Sequence, residues 1–247
     1  MTSHVYRDQY YDYIDDGSSR SAARIIARIQ QELNIGSVLD VGCGRGAWLS
    51  EWSRAGASEF HGVDGEYVEI DKLPFEAAHF SPADLTNPLD LNRRFDLVQS
   101  VEVAEHLDEK YAEQFVDTLT RHGDVIMFSA ATPGQGGEHH VNEQPLDYWR
   151  AKFAARGYDC YDFIRPQIKD DANVEPWYRF NLLFYIRNGH AAGETLSHWR
   201  LDDDEAPPTL APLWWRARNA FLSVFGPDSI DRLARLKHAM HRTLKRA

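Results

Sequence analysis

Cysteine is nearly missing from this chain: 247 residues carry two, Cys43 and Cys160. Two so far apart offer neither a disulfide framework nor the paired spacing of a zinc site. Long apolar runs are missing as well. No stretch approaches the roughly 18 residues that cross a bilayer, and Met1-Thr2-Ser3-His4-Val5-Tyr6-Arg7 lacks the apolar core of a signal peptide. The expected compartment is a reducing cytoplasm. Positive charge is also scarce, with 27 Lys and Arg against 38 Asp and Glu and a formal net charge of −11. The scarcity is uneven. From Thr209 to Ala247 eight basic residues face two acidic ones, a balance of +6 that leaves −17 on the remainder. An acidic body argues against a broad nucleic-acid footprint, because phosphate backbones demand clustered positive charge.

What is present is ordinary for a folded α/β chain: 43% hydrophobic and 26% charged residues, and enough length for a substantial core. Ser18 or Ser19 is placed to cap a helix whose buried face is Ala22, Ile25, Ile26, Ile29 and Leu33. Strands are expected over Ser37–Val41, Glu59–Val63, His79–Pro82, Phe95–Val101, Asp124–Ser129, Asp159–Ile164 and Phe180–Ile186. Helices are expected over Asp108–Leu119 and Pro145–Arg156, the second opening on its proline. Strands alternating with helices imply a mostly parallel sheet. Only a loop is expected between the last two strands, which favours an antiparallel pair.

The most informative stretch is Val38-Leu39-Asp40-Val41-Gly42-Cys43-Gly44-Arg45-Gly46, a strand entering a glycine-rich turn, followed by a helix from Ala47 through Trp48 to Trp52. Glycines admit positive φ and let a ligand approach the backbone. Such a crevice binds nucleotides in doubly wound folds. Asp64-Gly65 follows the second strand at the distance of a ribose-binding acid, about 20 residues on. Asp84-Leu85 follows the third strand, and Phe95-Asp96-Leu97-Val98-Gln99-Ser100-Val101 forms the fourth. In order, these motifs resemble class I S-adenosylmethionine-dependent methyltransferases, over roughly Ser37 to Ile186. The resemblance implies a Rossmann-like, seven-stranded, mostly parallel sheet with helices on both faces and an antiparallel last strand. It implies S-adenosylmethionine as methyl donor, held by Asp40, Gly42, Cys43, Gly44 and Trp48 at the turn. Asp64 and Gly65 would meet the ribose, and Asp84, Leu85 and Ser100 complete the set.

Glu102, Glu105 and His106 follow the fourth strand at i, i+3 and i+4, so a helix there would gather them on one face. Two carboxylates and an imidazole suit a divalent cation. The pattern is similar to that of small-RNA 3′-end 2′-O-methyltransferases and ubiquinone-pathway O-methyltransferases. That likeness implies a metal site of Glu102, Glu105, His106 and a distant His, here His140, with Mg²⁺ or Mn²⁺ as candidate ion. Three readings stay open: a metal that positions a hydroxyl, a metal-free base at His106 or His140 with Glu102 beside it, and solvated acids at a helix start.

The loop Thr132–Glu138, the cluster Tyr10, Tyr11 and Tyr13, and the run Trp177–Asn181 entering the last strand are candidates for the substrate side. The expected division is a helical lid over 1–36, the cofactor domain over 37–190, an acidic linker over 191–208 and a basic helical extension over 209–247. In that extension Ile230, Leu233, Leu236, Met240 and Leu244 share one side. It suits a packing or homodimer contact, or a peripheral membrane contact on the inner face. The expected substrate is a small hydroxylated molecule, such as a sugar or natural-product intermediate. RNA methylation, N-methylation and a non-catalytic cofactor-binding partner are the alternatives.

Overall fold

The apolar period before the glycine turn folds as α1 (Asp8–Glu32), with Ala22, Ile25, Ile26, Ile29 and Leu33 all buried. A computed structural model describes residues 8–223, with side chains from Asp16 onward. Ser18 and Ser19 do not start this helix; it runs through them. A mid-helix hydroxyl needs no capping role when other partners exist. Ser21 donates to Gly17 O at 2.7 Å, and the Ser18 hydroxyl meets the Tyr178 hydroxyl at 3.0 Å.

Seven strands follow: β1 (Ser37–Val41), β2 (Glu59–Asp64), β3 (Phe80–Pro82), β4 (Leu97–Val101), β5 (Val125–Ser129), β6 (Tyr158–Tyr161) and β7 (Leu183–Arg187). Their order across the sheet is β3-β2-β1-β4-β5-β7-β6. Neighbours from β3 through β5 are parallel, and β7 runs antiparallel to both β5 and β6. The chain order reverses between β1 and β4, and ligands of open α/β sheets bind outside the strand ends at such a point.

The connecting helices are α2 (Ala47–Arg54), α3 (Ala112–His122), α4 (Leu146–Ala154), α5 (Arg165–Ile168), α6 (Pro176–Asn181), α7 (Ala191–Thr195) and α8 (Leu213–Leu222). One core, with Ile25, Trp52 and Phe184, lies under α1 and α2; another, with Phe115, Trp149 and Tyr185, lies under α3 and α4. Each such side chain contributes about 1.5–3 kcal/mol when removed from water. The sheet is therefore covered on both faces.

Three local expectations are corrected. The connection from β6 to β7 is not a plain loop but carries α5 and α6. The run Trp177–Asn181 is helical, because Pro176 supplies a helical φ at the first turn after an extended Glu175. Asp162, buried, takes two bonds from the fully buried Arg165 at 2.8 and 2.6 Å, and Arg165 also donates to Phe180 O at 2.8 Å. That network staples α5 to the end of β6 and to α6. Finally, Glu102 to Leu107 is no α-helix. Glu102 has φ of 57° and donates its N–H to Ser129 O at 3.0 Å, and only a 3₁₀ turn over Ala104–His106 follows. A left-handed residue at the strand end turns the chain before a helix can begin.

The acidic segment 191–208 lies along the body. Leu196 is fully buried, and the Arg150 guanidinium donates to the carbonyls of Leu201, Asp202 and Glu205. No helix among the described residues is long and apolar enough to cross a membrane. The helix expected from Ser229, and the side chains of Tyr10, Tyr11 and Tyr13, lie outside the described residues.

Candidate active site

All three glycines of the turn take positive φ: 88° at Gly42, 53° at Gly44 and 78° at Gly46. A Cβ on Gly42 would stand 2.4 Å from Val103 Cγ2, and one on Gly46 would stand 2.3 Å from the Phe75 ring. Beside Gly44 there is open space, so the middle of the turn is its accessible part. Asp64 holds this shape. Its carboxylate accepts from Gly44 N and Gly65 N at 2.7 Å each and from the Tyr67 hydroxyl. Burial pushes the Asp64 carboxyl up, and these three bonds oppose the shift. A carboxylate offers about four acceptor positions, so one stays available to a ligand hydroxyl. The turn and Asp64 thus fit the ribose-bearing part of a nucleoside cofactor.

The other expected cofactor residues fall into two groups. Asp40 is buried beneath the turn, where burial pushes its carboxyl up to about 7 while Gln99 holds it back. Cys43 and Trp48 are turned into the core; Trp48 stands edge-on to Tyr178 at 5.4 Å, and burial pushes the Cys43 thiol well up. Ser100 is buried with an unpartnered hydroxyl. Asp84 is exposed and accepts from Thr86 N at 2.9 Å and the Thr86 hydroxyl at 2.7 Å, shaping a turn, while Leu85 beside it is half-buried.

Beyond β4 the structure gathers Glu105, His106 and His140, one ligating atom from each lying within 4.8 Å of the others. The two imidazoles meet at 87° with centroids 4.9 Å apart. Val141 N and Asn142 N donate to Glu105 O at 2.9 and 3.0 Å, which ties the His140 segment to the turn carrying Glu105. Both Glu105 carboxylate oxygens are buried without a hydrogen-bond partner. Burial pushes this carboxyl well up, and the neighbouring Glu102 adds to the shift. His106 is exposed at the mouth of the site, its Nδ1 3.3 Å from His139 O, and neutral imidazole is the metal-binding form. An unpaired buried carboxylate beside two imidazoles fits a divalent cation.

Glu102 lies outside this trio. Gln135 Nε2 donates to its Oε2 at 2.6 Å, and Asn181 Nδ2 donates to Gln135 Oε1 at 2.7 Å. Burial pushes the Glu102 carboxyl up as well. The i, i+3, i+4 spacing therefore assembled only part of the expected set, because the chain turns at Glu102 itself.

Residues 11–163, more than half of the chain, match the methyltransferase domain family. The chain belongs to that family. Its fold is shared with DesVI of Streptomyces venezuelae (15% identity, 73% of this chain and 96% of that one, TM-score 0.55). It is shared with the sugar N-methyltransferase KedS8 of a Streptoalloteichus species (17% identity, 76% and 97%, TM-score 0.57). The magnesium protoporphyrin IX methyltransferase ChlM of Synechocystis, solved with S-adenosylmethionine bound, is a third (18% identity, 75% and 87%, TM-score 0.51). No curated protein matches the sequence. The chain is an S-adenosylmethionine-dependent methyltransferase.

In this methyltransferase, reasoning from spacing passed over Glu143. Its Oε1 accepts from His140 Nδ1 at 2.8 Å and from Gly136 N at 2.7 Å, and its Oε2 accepts from Gly134 N at 2.8 Å. Its position three residues after His140 was the available signal. A separate cleft of about 430 Å³ opens near Asn34, Arg94, Asp96, Asp124 and His190, at the opposite end of the sheet. Two of its acids are committed: Asp124 to Arg94 and Arg187, and Asp96 to the amides of Gly36 and Ser37.

Proposed function

We propose that this methyltransferase transfers its methyl group to a hydroxyl of a small molecule, of the sugar or natural-product class, with a divalent ion held by Glu105, His106 and His140. The observation that carries the reading is the Glu105 carboxylate, buried and unpartnered beside two imidazoles. Burying such a charge without a partner is costly, and a cation removes the cost. Two nitrogen ligands favour Mn²⁺ over Mg²⁺, which prefers an all-oxygen shell and dehydrates reluctantly.

The chain's own residues divide the work. Asp64 and the glycine turn orient the nucleoside of the donor, which supplies a sulfonium-bound methyl group. Glu143 holds His140 by Nδ1, which leaves Nε2 as the nitrogen available to an ion or a substrate proton. When bound, a divalent ion would lower the pKa of the acceptor hydroxyl and fix its oxygen. The C–S bond of the donor breaks as the O–CH₃ bond forms, leaving S-adenosylhomocysteine, and the hydroxyl proton leaves to solvent.

The His140–Glu143 contact favours one alternative, a metal-free reaction. An imidazole oriented by a carboxylate is a competent general base, and it would serve a hydroxyl or an amine acceptor. A sugar N-methyltransferase among proteins of this fold keeps the amine in view. RNA is disfavoured by the −17 charge outside the last 39 residues.

The test is conversion of S-adenosylmethionine to S-adenosylhomocysteine across sugars, aminosugars, phenols and an RNA oligonucleotide, before and after chelation. Turnover on a hydroxyl acceptor that chelation abolishes and Mn²⁺ restores is the expected result. Turnover untouched by chelation overturns the metal, and turnover confined to amines or RNA overturns the acceptor class.

A further inference from the structure

Glu102, the acid left outside the metal cluster, is held by a set of bonds of its own. It opens the turn after β4 with φ of 57°, and Gln135 Nε2 donates to its Oε2 at 2.6 Å. Gln135 is fixed in turn from two sides. Asn181 Nδ2 donates to its Oε1 at 2.7 Å, and Arg218 donates to its carbonyl at 2.8 Å. Helix α8 presses on the same loop, for a Cβ on Gly134 would stand 2.2 Å from Asn219 O. The Glu102 carboxylate is thus held in one orientation. Its other oxygen, Oε1, is buried with no hydrogen-bond partner.

The neighbours of Glu102 belong to the cofactor turn. Val103, the next residue, packs on Gly42, where a Cβ would stand 2.4 Å from Val103 Cγ2. The Glu102 charge also acts on Tyr178, a buried ring that stands edge-on to Trp48 of α2 at 5.4 Å. Glu102 is therefore bounded by the first glycine of the turn, by the helix that follows the turn and by the 132–138 loop.

Strand order gives the direction of the donor across the sheet. Asp64 ends β2 at the ribose position, the turn follows β1, and β4 lies next to β1 on the far side. Past β4 stand Glu105, His106 and His140, the groups toward which the methyl is delivered. The amino-acid end of S-adenosylmethionine then passes the turn and reaches the end of β4. That end carries a carboxylate and an α-ammonium group. A buried, unsatisfied carboxylate oxygen repels the first and is satisfied by the second.

We propose that Glu102 binds the α-ammonium group of S-adenosylmethionine through Oε1, with Gln135 and Asn181 as positioning residues for that contact. The chain's own donors hold one carboxylate oxygen, and the cofactor brings the donor for the other. Burial pushes the Glu102 carboxyl up while Gln135, Ser129, His140 and Asn181 hold it back, and the ammonium adds a full counter-charge on their side. The contact needs neither a bound metal nor a particular acceptor, so it stands apart from those two parts of the proposed reaction.

The experiment is isothermal titration calorimetry in the presence of a chelator. The ligands are S-adenosylhomocysteine and its analogue in which hydrogen replaces the α-amino group. Wild type, Glu102→Gln and Gln135→Met are compared, with thermal melting in the absence of ligand as the check on folding. Wild type should bind S-adenosylhomocysteine about tenfold to a hundredfold more tightly than the analogue. In Glu102→Gln the amide oxygen takes the Gln135 bond and the NH₂ faces the ligand, so most of that preference should vanish through weaker binding of S-adenosylhomocysteine alone. Gln135→Met should lose part of it. The inference is overturned if wild type binds the two ligands equally, a result that requires no variant to fold. It is also overturned if Glu102→Gln keeps the preference, as it would by weakening both ligands by the same factor.

Discussion

Glu143 orients His140, Oε1 to Nδ1 at 2.8 Å. The same carboxylate accepts from Gly134 N and Gly136 N, so one side chain shapes the 132–138 loop and aims the imidazole. Together these bonds hold the Glu143 carboxyl below its ordinary value, against the upward push of burial.

Glu143→Gln keeps the shape but replaces one acceptor oxygen with an NH₂ donor. Loss of a carboxylate behind a ligating His costs about 10–100-fold in metal affinity. Titration of Mn²⁺ followed by electron paramagnetic resonance should show that loss while the urea midpoint stays close to wild type. Equal affinity in the two proteins would remove Glu143 from the positioning role.

Asp40 gives a pH dependence. Its folded carboxyl sits at about 7 and its ordinary value is 3.8, with burial the leading cause. A raised carboxyl binds its proton more tightly in the folded state, so ionisation opposes folding. The penalty starts near pH 4, grows as pH rises and is complete above about 7. Asp40→Asn should therefore raise the melting temperature at pH 8 and raise it much less at pH 5. A pH-independent difference would contradict the shift.

The glycines of the turn are not equivalent. Gly42→Ala combines a φ of 88° with a Cβ 2.4 Å from Val103, whereas Gly44→Ala meets nothing within 4 Å. Gly44→Ala should cost about 1–2 kcal/mol, the left-handed strain alone. Gly42→Ala should cost clearly more and weaken S-adenosylmethionine binding. Denaturant titration and calorimetry read both, and equal costs would refute the packing argument.

Arg165→Met leaves Asp162, 4% exposed, with a buried charge and no cation. Breaking such a pair costs about 3–5 kcal/mol. Arg156→Met, whose partners Glu113 and Asp117 are largely exposed, should cost about 1 kcal/mol or less. Urea unfolding of the two variants makes the comparison, and similar losses would count against it.

Both thiols are buried and pushed up by burial, Cys160 to about 12 and Cys43 well above its ordinary value. The thiolate is the reactive form. Labelling with a disulfide reagent at pH 8 should find neither thiol in the folded protein and both in urea. Fast labelling of the folded protein would show that the glycine turn opens.

The glycine turn, the acids at the ends of successive strands and the alternation of apolar segments are local signals, and each was legible as written. Continuous burial along β1, β4 and β5 and a period-3.6 buried face on α1 are what short apolar runs and one amphipathic helix encode, so the class of fold followed from the chain alone. The tertiary structure decided what local periodicity cannot encode. A left-handed Glu102, tied to Ser129, cancelled the helix that spacing suggested and sent Glu102 to Gln135 instead of to the histidines. His140 reached Glu105 across 35 residues because backbone amides of Val141 and Asn142 bind the Glu105 carbonyl. Glu143 gained its role by folding back on its own loop, and α8 gained its place by packing against Gly134. Sequence specifies what a segment prefers by itself; contacts between distant segments choose which of those preferences survive.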